Sequence, residues 1–133
     1  MAVADRSGLP VAAWISSASP AEVTLAEPTL DHAFLDVAPD YLIGDKAYDS
    51  DPLAERLWEE RGIALVAPHR ANRTRPPTQD GRPLRRYKRR WKIERLFAWL
   101  HNFRRLITRH ERHAENFLAF LQLGCVCILL RRF

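Results

Sequence analysis

Cysteine is almost missing from this chain: of 133 residues only Cys125 and Cys127 carry a thiol. They lie two apart in an apolar segment, and a helix turns that spacing to different sides, so neither a disulfide nor a shared metal is expected and a reducing cytoplasm fits. No basic stretch followed by an apolar run and a small-residue cleavage site opens the sequence, so no secretion signal is visible. The longest apolar run, 117–130, is interrupted by Gln122 and is short for a bilayer crossing, which favours a buried core helix over a membrane span. Internal repeats and low-complexity tracts are lacking too.

Acid is scarce where base is dense. Of 21 Lys and Arg, 15 lie between Arg70 and Arg112, against three acids there, Asp80, Glu94 and Glu111. With a net charge of +5 and a pI near 9.8, that distribution is the footprint of a polyanion partner, nucleic acid first. An anionic membrane surface fits less well, because the basic stretch carries turn residues and a Trp-rich helix rather than one amphipathic ribbon. The length is one domain's worth or less, and at 47% apolar it suffices for a real core.

Within the basic stretch, 87–101 has no helix breaker. At helical spacing Tyr87, Arg90, Glu94 and His101 share one stripe, while Ile93, Leu96, Phe97, Leu100 and Phe103 fill the neighbouring face and anchor it to a core. A lone carboxylate among cations suits a metal ligand whose neighbours hold phosphates. The alternative is a surface acid paired with Arg90 at i, i+4.

Taken in order, the apolar runs 1–4 and 10–15 flank Asp5-Arg6-Ser7-Gly8 and predict an antiparallel hairpin. Ser19-Pro20-Ala21-Glu22 reads as a capped helix start, predicting a helix over 20–35 that Pro28 breaks or kinks. The run 41–44 is a buried strand ending at Asp45. Asp51 is a plausible N-cap for a helix over 52–61 that stops at Gly62, and 63–67 is a second strand, parallel to the first. Residues 68–83, with Pro76, Pro77, Asp80 and Gly81 among them, form a loop long enough to imply function or disorder. Helices are predicted over 84–106 and 114–131. The fold class is therefore α/β, a mixed sheet with an N-terminal hairpin, packed by helices.

Asp45 lies just past the carboxyl end of a strand, where open α/β sheets present ligand groups; alternatively it is a turn or cap aspartate. Trp91 and Trp99 suit base stacking or, more commonly, core packing. His110 and His113 have zinc-like spacing without partners in a recognisable pattern and read as surface residues or phosphate contacts. Asp49 and Asp51 are better explained by a helix cap than by a metal.

Two ordered motifs carry a resemblance. Tyr87, Arg90, Glu94 and a polar residue seven positions on, His101, resemble the Y-R-E-K signature of bacterial insertion-sequence transposases of the DDE class, with His101 where the family has lysine. Upstream, Ile-Gly-Asp-Lys-Ala-Tyr-Asp-Ser from Ile43 resembles that family's strand carrying its second catalytic aspartate. The resemblance runs across nearly all of the sequence. It implies a ribonuclease H-like fold in which carboxylates hold two divalent ions, usually Mg2+, with Asp45 and Glu94 as catalytic residues and metal ligands. It also implies double-stranded DNA at transposon ends as partner. Arg90 would hold the phosphate and Tyr87 would orient or stack near the cleavage point, with His101, Lys92, Arg95 and Lys46 as further DNA contacts.

The first aspartate of that family belongs on a strand preceding the hairpin, and Asp5, in the hairpin turn, is the only candidate for it here. The expectation is therefore an incomplete two-metal site in a carboxyl-terminal portion of a catalytic domain, acting in DNA transposition, truncated or split, with impaired activity. Its partners would be copies of itself or an upstream fragment, and its place the cytoplasm, at the nucleoid. The alternative is a non-catalytic DNA-binding remnant or an inhibitor of full-length transposase, since phosphate binding needs no metal.

Overall fold

A computed structural model of the chain describes residues 1–79 and 81–132, which fold as two compact units. The first comprises Met1–Pro20, Leu25–Leu35 and the chain from Trp91 onward; the second comprises Ala21–Thr24 and Asp36–Arg90. Asp80, expected among the turn residues of the long loop, lies outside the described residues.

The first unit opens on the expected hairpin, β1 (Ala2–Ala4) pairing antiparallel with β2 (Pro10–Ala13). Its turn closes locally. Asp5 Oδ1 accepts from the amides of Ser7 and Leu9 at 2.7 and 2.8 Å, and Gly8 adopts φ +84°, a conformation that favours glycine. The helix expected over 20–35 is shorter and split, a 3-10 turn at Glu22–Leu25 followed by α1 (Ala26–Asp31). Pro28 accounts for this: lacking an amide hydrogen, it is accommodated in a first turn, so the α-helix starts at Ala26 and not at Pro20, and Leu25 rather than Ser19 is its N-cap residue.

Helices α4 (Trp91–Leu100), α5 (Arg104–Ile107) and α6 (Ala114–Leu130) complete this unit. Ala13, Leu96, Leu100, Cys125 and Ile128 form its buried centre, with Ile93, Trp99 and Phe103 packed around them. Gly124 lets α6 come close: a Cβ there would stand 3.1 Å from Leu106 and 3.3 Å from Leu100. Burial pushes the Cys125 thiol up to about 11.

The second unit holds β3 (Tyr41–Ile43) and β4 (Ala64–Val66), parallel as expected and joined through α2 (Asp51–Arg61). Ser50, not Asp51, is the N-cap, its Oγ accepting from the Leu53 amide, and Gly62 ends the helix at φ +67°. Leu53, Leu57, Ile63 and Val66 are buried between helix and strands. Past the loop come α3 (Gly81–Leu84) and a 3-10 turn at Arg86–Arg89.

Two expectations need correction. The strands form two separate two-stranded sheets, not one mixed sheet, although the α/β class holds. The helix expected unbroken over 84–106 is a short helix, a 3-10 turn, α4 and α5. Between Arg85 and Arg90 five of six residues are cations, so like charges meet at i, i+3 and i, i+4 with no acid between them, which opposes a continuous α-helix. The later break frees Phe103, whose ring packs on the core. Among the described residues no helix is long and apolar enough to cross a membrane.

Candidate active site

Asp45 follows β3 in the second unit. Gly44 donates its amide to the Val66 carbonyl at 3.0 Å, extending the parallel pairing, after which the chain turns sharply into a 3-10 turn, Lys46–Tyr48. Asp45 caps that turn, its Oδ1 accepting from the Ala47 amide at 2.8 Å. The turn packs tightly on itself. A Cβ on Gly44 would lie 2.8 Å from three atoms of the Tyr48 side chain, so only glycine lets the ring lie there. Burial, with the carboxylates of Glu22 and Asp45 adding to it, pushes the Tyr48 phenol up to about 12. Lys46 is exposed.

The loop after β4 is folded over this turn by a clasp that the sequence did not suggest. Asp49 Oδ1 accepts from His69 Nδ1 at 2.8 Å and Arg73 Nη1 at 2.9 Å, while its Oδ2 accepts from the Arg70 amide at 2.8 Å. Arg73 Nη2 also donates to both oxygens of Asp51, at 2.8 and 3.0 Å, and Arg75 adds a bond at 3.2 Å. His69 Nε2 accepts from the Thr78 amide, so in the neutral ring Nδ1 carries the proton given to Asp49. Burial works against the Asp49 charge, but these donors outweigh it and hold the carboxyl below its usual range; the bond from Arg73 does the same for Asp51. Both acids are thus loop anchors, and the cap expected of Asp51 belongs to Ser50.

Tyr87 and Arg90 also belong to the second unit. Tyr87 lies in the 3-10 turn with the Arg90 guanidinium 5.7 Å from its ring centre, and Arg86 stacks over Tyr41 at 4.0 Å. Arg82, Arg85, Arg86, Lys88, Arg89 and Arg90 are all exposed.

Glu94 is exposed in the first turn of α4, in the first unit. Its neighbours fix the helix to the hairpin: Lys92 Nζ donates to the Arg6 carbonyl and Arg95 Nη2 to that of Ser7. The Arg95 guanidinium lies between Trp91 and Trp99, 4.9 and 4.7 Å from their ring centres, and Arg132 covers Trp99 at 5.0 Å. These tryptophans therefore sandwich a cation within the unit. His101 is exposed just past the end of α4. Of the stripe expected on one continuous α-helix, only Glu94 lies within α4; Tyr87 is in the 3-10 turn, Arg90 at that turn's end and His101 just past α4.

Asp45 and Glu94 are hard oxygen donors and fit a Mg2+-class ion in kind. Among the described residues no group of three or more His, Cys, Asp or Glu is placed to hold a metal ion. Asp5 Oδ1 is the acceptor that closes the hairpin turn. His110 and His113 are exposed, and the His110 amide donates to Glu111, whose carboxylate also pairs with Arg105 at 3.0 Å.

Comparison with known proteins matches residues 1–130 to the family described as Transposase DDE domain. A relative from Burkholderia cepacia, named "Putative transposase for insertion sequence element IS402", is 37% identical over 136 residues, covering 95% of this chain. The chain spans 59% of that relative's length. No solved structure matches the chain. A match over nearly every residue, with a glycine-aspartate strand end followed by a cation-flanked glutamate helix, places this chain in the DDE transposase family of insertion sequences.

Proposed function

We propose that the chain acts in DNA transposition as the carboxyl-terminal part of a ribonuclease H-like catalytic domain, with Asp45 and Glu94 as two of its acidic ligands. The observation that carries this reading is the family match over 1–130 together with Asp45 at a strand end and Glu94 in the first turn of a helix. Double-stranded DNA is the substrate, and Mg2+ is the expected ion. Asp45 and Glu94 would help hold the divalent ions, which would supply activation of the attacking oxygen and stabilisation of the leaving oxygen at a phosphodiester. The chain's own residues orient and hold: Arg90 takes a phosphate, Tyr87 lines the strand near the cut, and Lys46 and His101 add contacts to the backbone. Lys92 and Arg95, bonded to hairpin carbonyls, contribute positive field more than direct contact. Such a role places the protein on the nucleoid, as a homo-oligomer or paired with an upstream fragment.

A second reading, a DNA-binding remnant or inhibitor without cleavage, draws on the lack of a three-acid group among the described residues beside so dense a basic stretch. One assay separates them. The purified chain is incubated with supercoiled plasmid and Mg2+ or Mn2+. Nicking that disappears in Asp45→Asn and Glu94→Gln supports the first reading. Salt-sensitive retardation without nicking supports the second. Nicking that persists in both variants, or no retardation at all, refutes the proposal.

A further inference from the structure

We propose that Arg70 is a positioning residue for Asp45, acting through a single peptide plane. The proposal rests on the reading of Asp45 as a functional carboxylate, but its geometry stands apart from that reading. The peptide linking Lys46 to Ala47 is rigid, and its carbonyl oxygen and amide hydrogen point in opposite directions. Its amide end holds Asp45 Oδ1 at 2.8 Å. Its carbonyl end accepts from Arg70 Nε at 2.9 Å. Arg70 and Asp45 are therefore hydrogen-bonded to the two ends of one inflexible unit, and a tilt at one end is a tilt at the other.

Two further bonds make the grip specific. Arg70 Nη2 donates to the next carbonyl, Ala47 O, at 2.7 Å, and the Arg70 amide donates to Asp49 Oδ2 at 2.8 Å. The planar guanidinium thus fixes the relative orientation of two successive carbonyls, which a lysine, as a point charge, does not do. The turn needs such help. It is three residues long, and its own bonds are Tyr48 N to Asp45 O at 3.1 Å and Asp49 N to Lys46 O at 3.3 Å, so little in it resists fraying. Arg70 in turn is seated by the clasp, since His69 and Arg73 on either side of it both bind Asp49.

The test compares Arg70→Ala and Arg70→Lys with Arg75→Ala in the full chain. Arg75 is 69% exposed and pairs with Asp51 only through its guanidinium, so it controls for loss of a loop cation. Amide hydrogen exchange by NMR reads the geometry without any metal. Both Arg70 variants are expected to speed exchange of the Ala47 amide about tenfold or more while α2 amides stay protected, and Arg75→Ala is expected to leave Ala47 unchanged. Unchanged Ala47 exchange in a folded Arg70→Ala chain overturns the proposal. So does equal loss of α2 protection in both Arg70 variants, because Arg70 would then hold the whole unit rather than the turn. Mn2+ added as a paramagnetic probe reads the functional layer: broadening around Asp45 in the parent should require about tenfold more Mn2+ in Arg70→Lys. If Ala47 responds to Arg70 but the parent shows no Mn2+ broadening, the positioning stands and the metal-ligand reading of Asp45 fails.

Discussion

Replacing Gly44 by alanine tests the packing that shapes the turn at Asp45. The added methyl would stand 2.8 Å from the Cβ, Cγ and Cδ2 atoms of Tyr48, closer than such atoms approach without something moving. Tyr48 Cβ is fixed to the backbone, so a change of rotamer does not relieve the contact; the whole 3-10 turn has to shift. Overpacking of this kind costs about 1–3 kcal/mol. Urea unfolding followed by far-UV circular dichroism reads that loss. Tyrosinate absorbance reads its cause, because the phenol held near 12 by burial should move back toward 10.0 as the ring is pushed out. A double-mutant cycle isolates the contact: in a Tyr48→Gly background the alanine should cost less than in the parent by about the 1–3 kcal/mol of the lost overpacking. Additive losses in the cycle, or a Tyr48 titration unmoved by Gly44→Ala, would refute the argument.

Three other outcomes follow from the same geometry. Asp49 and Asp51 are held below the ordinary carboxylate value, so the clasp's contribution is in force above the ordinary carboxylate range and is lost as pH falls through their lowered values; the Arg70 amide, which donates to Asp49, should lose protection below about pH 4, and protection unchanged near pH 2 would contradict the ion pairs. Cys127 should react with a thiol reagent in the native chain and the buried Cys125 only on unfolding, and because the Cys125 thiol is raised, the stability linked to it is present below 9.0 and lost as pH rises toward about 11; rapid native labelling of both cysteines would be inconsistent with this core. Of the 15 cations between Arg70 and Arg112, at least seven (Arg70, Arg73, Arg75, Lys92, Arg95, Arg105 and Arg109) donate hydrogen bonds within the chain, so at most eight of them, with Lys46 besides, can meet phosphate, and the salt dependence of DNA binding should be no steeper than about −8 on a log–log plot, at roughly 0.9 per phosphate. A slope beyond about −10 would mean those internal bonds open on binding.

What was legible in the sequence was local. The hairpin turn, the stop of α2 at Gly62 and the extent of α6 all follow from rules that act over a few residues, and the structure keeps them. The helix break after Leu84 was not legible from periodicity, because a helical wheel sorts residues by face and takes no account of five cations in six positions repelling one another along the axis. The clasp was hidden for a different reason. Asp49 and Arg73 are 24 positions apart, and only the return of the chain through α2 and β4 brings them together.

The same distinction governs how the two candidate acids are held. The motif residues themselves specify little geometry: Asp45 lies in a three-residue turn and Glu94 in the first turn of a helix. The frame comes from residues outside the motifs. On one side Arg70 grips the carbonyls of Lys46 and Ala47, and on the other Lys92 and Arg95 grip those of Arg6 and Ser7. In the second case glycine is a condition of the grip, since a Cβ at Gly8 would lie 2.5 Å from Arg95 Nη2. Cations close to a candidate acid are easily read as substrate contacts. Here several are hydrogen-bonded to backbone oxygen, where their donors fix the direction of the chain, and a count of charges around Glu94 therefore overstates how many remain to meet a phosphate.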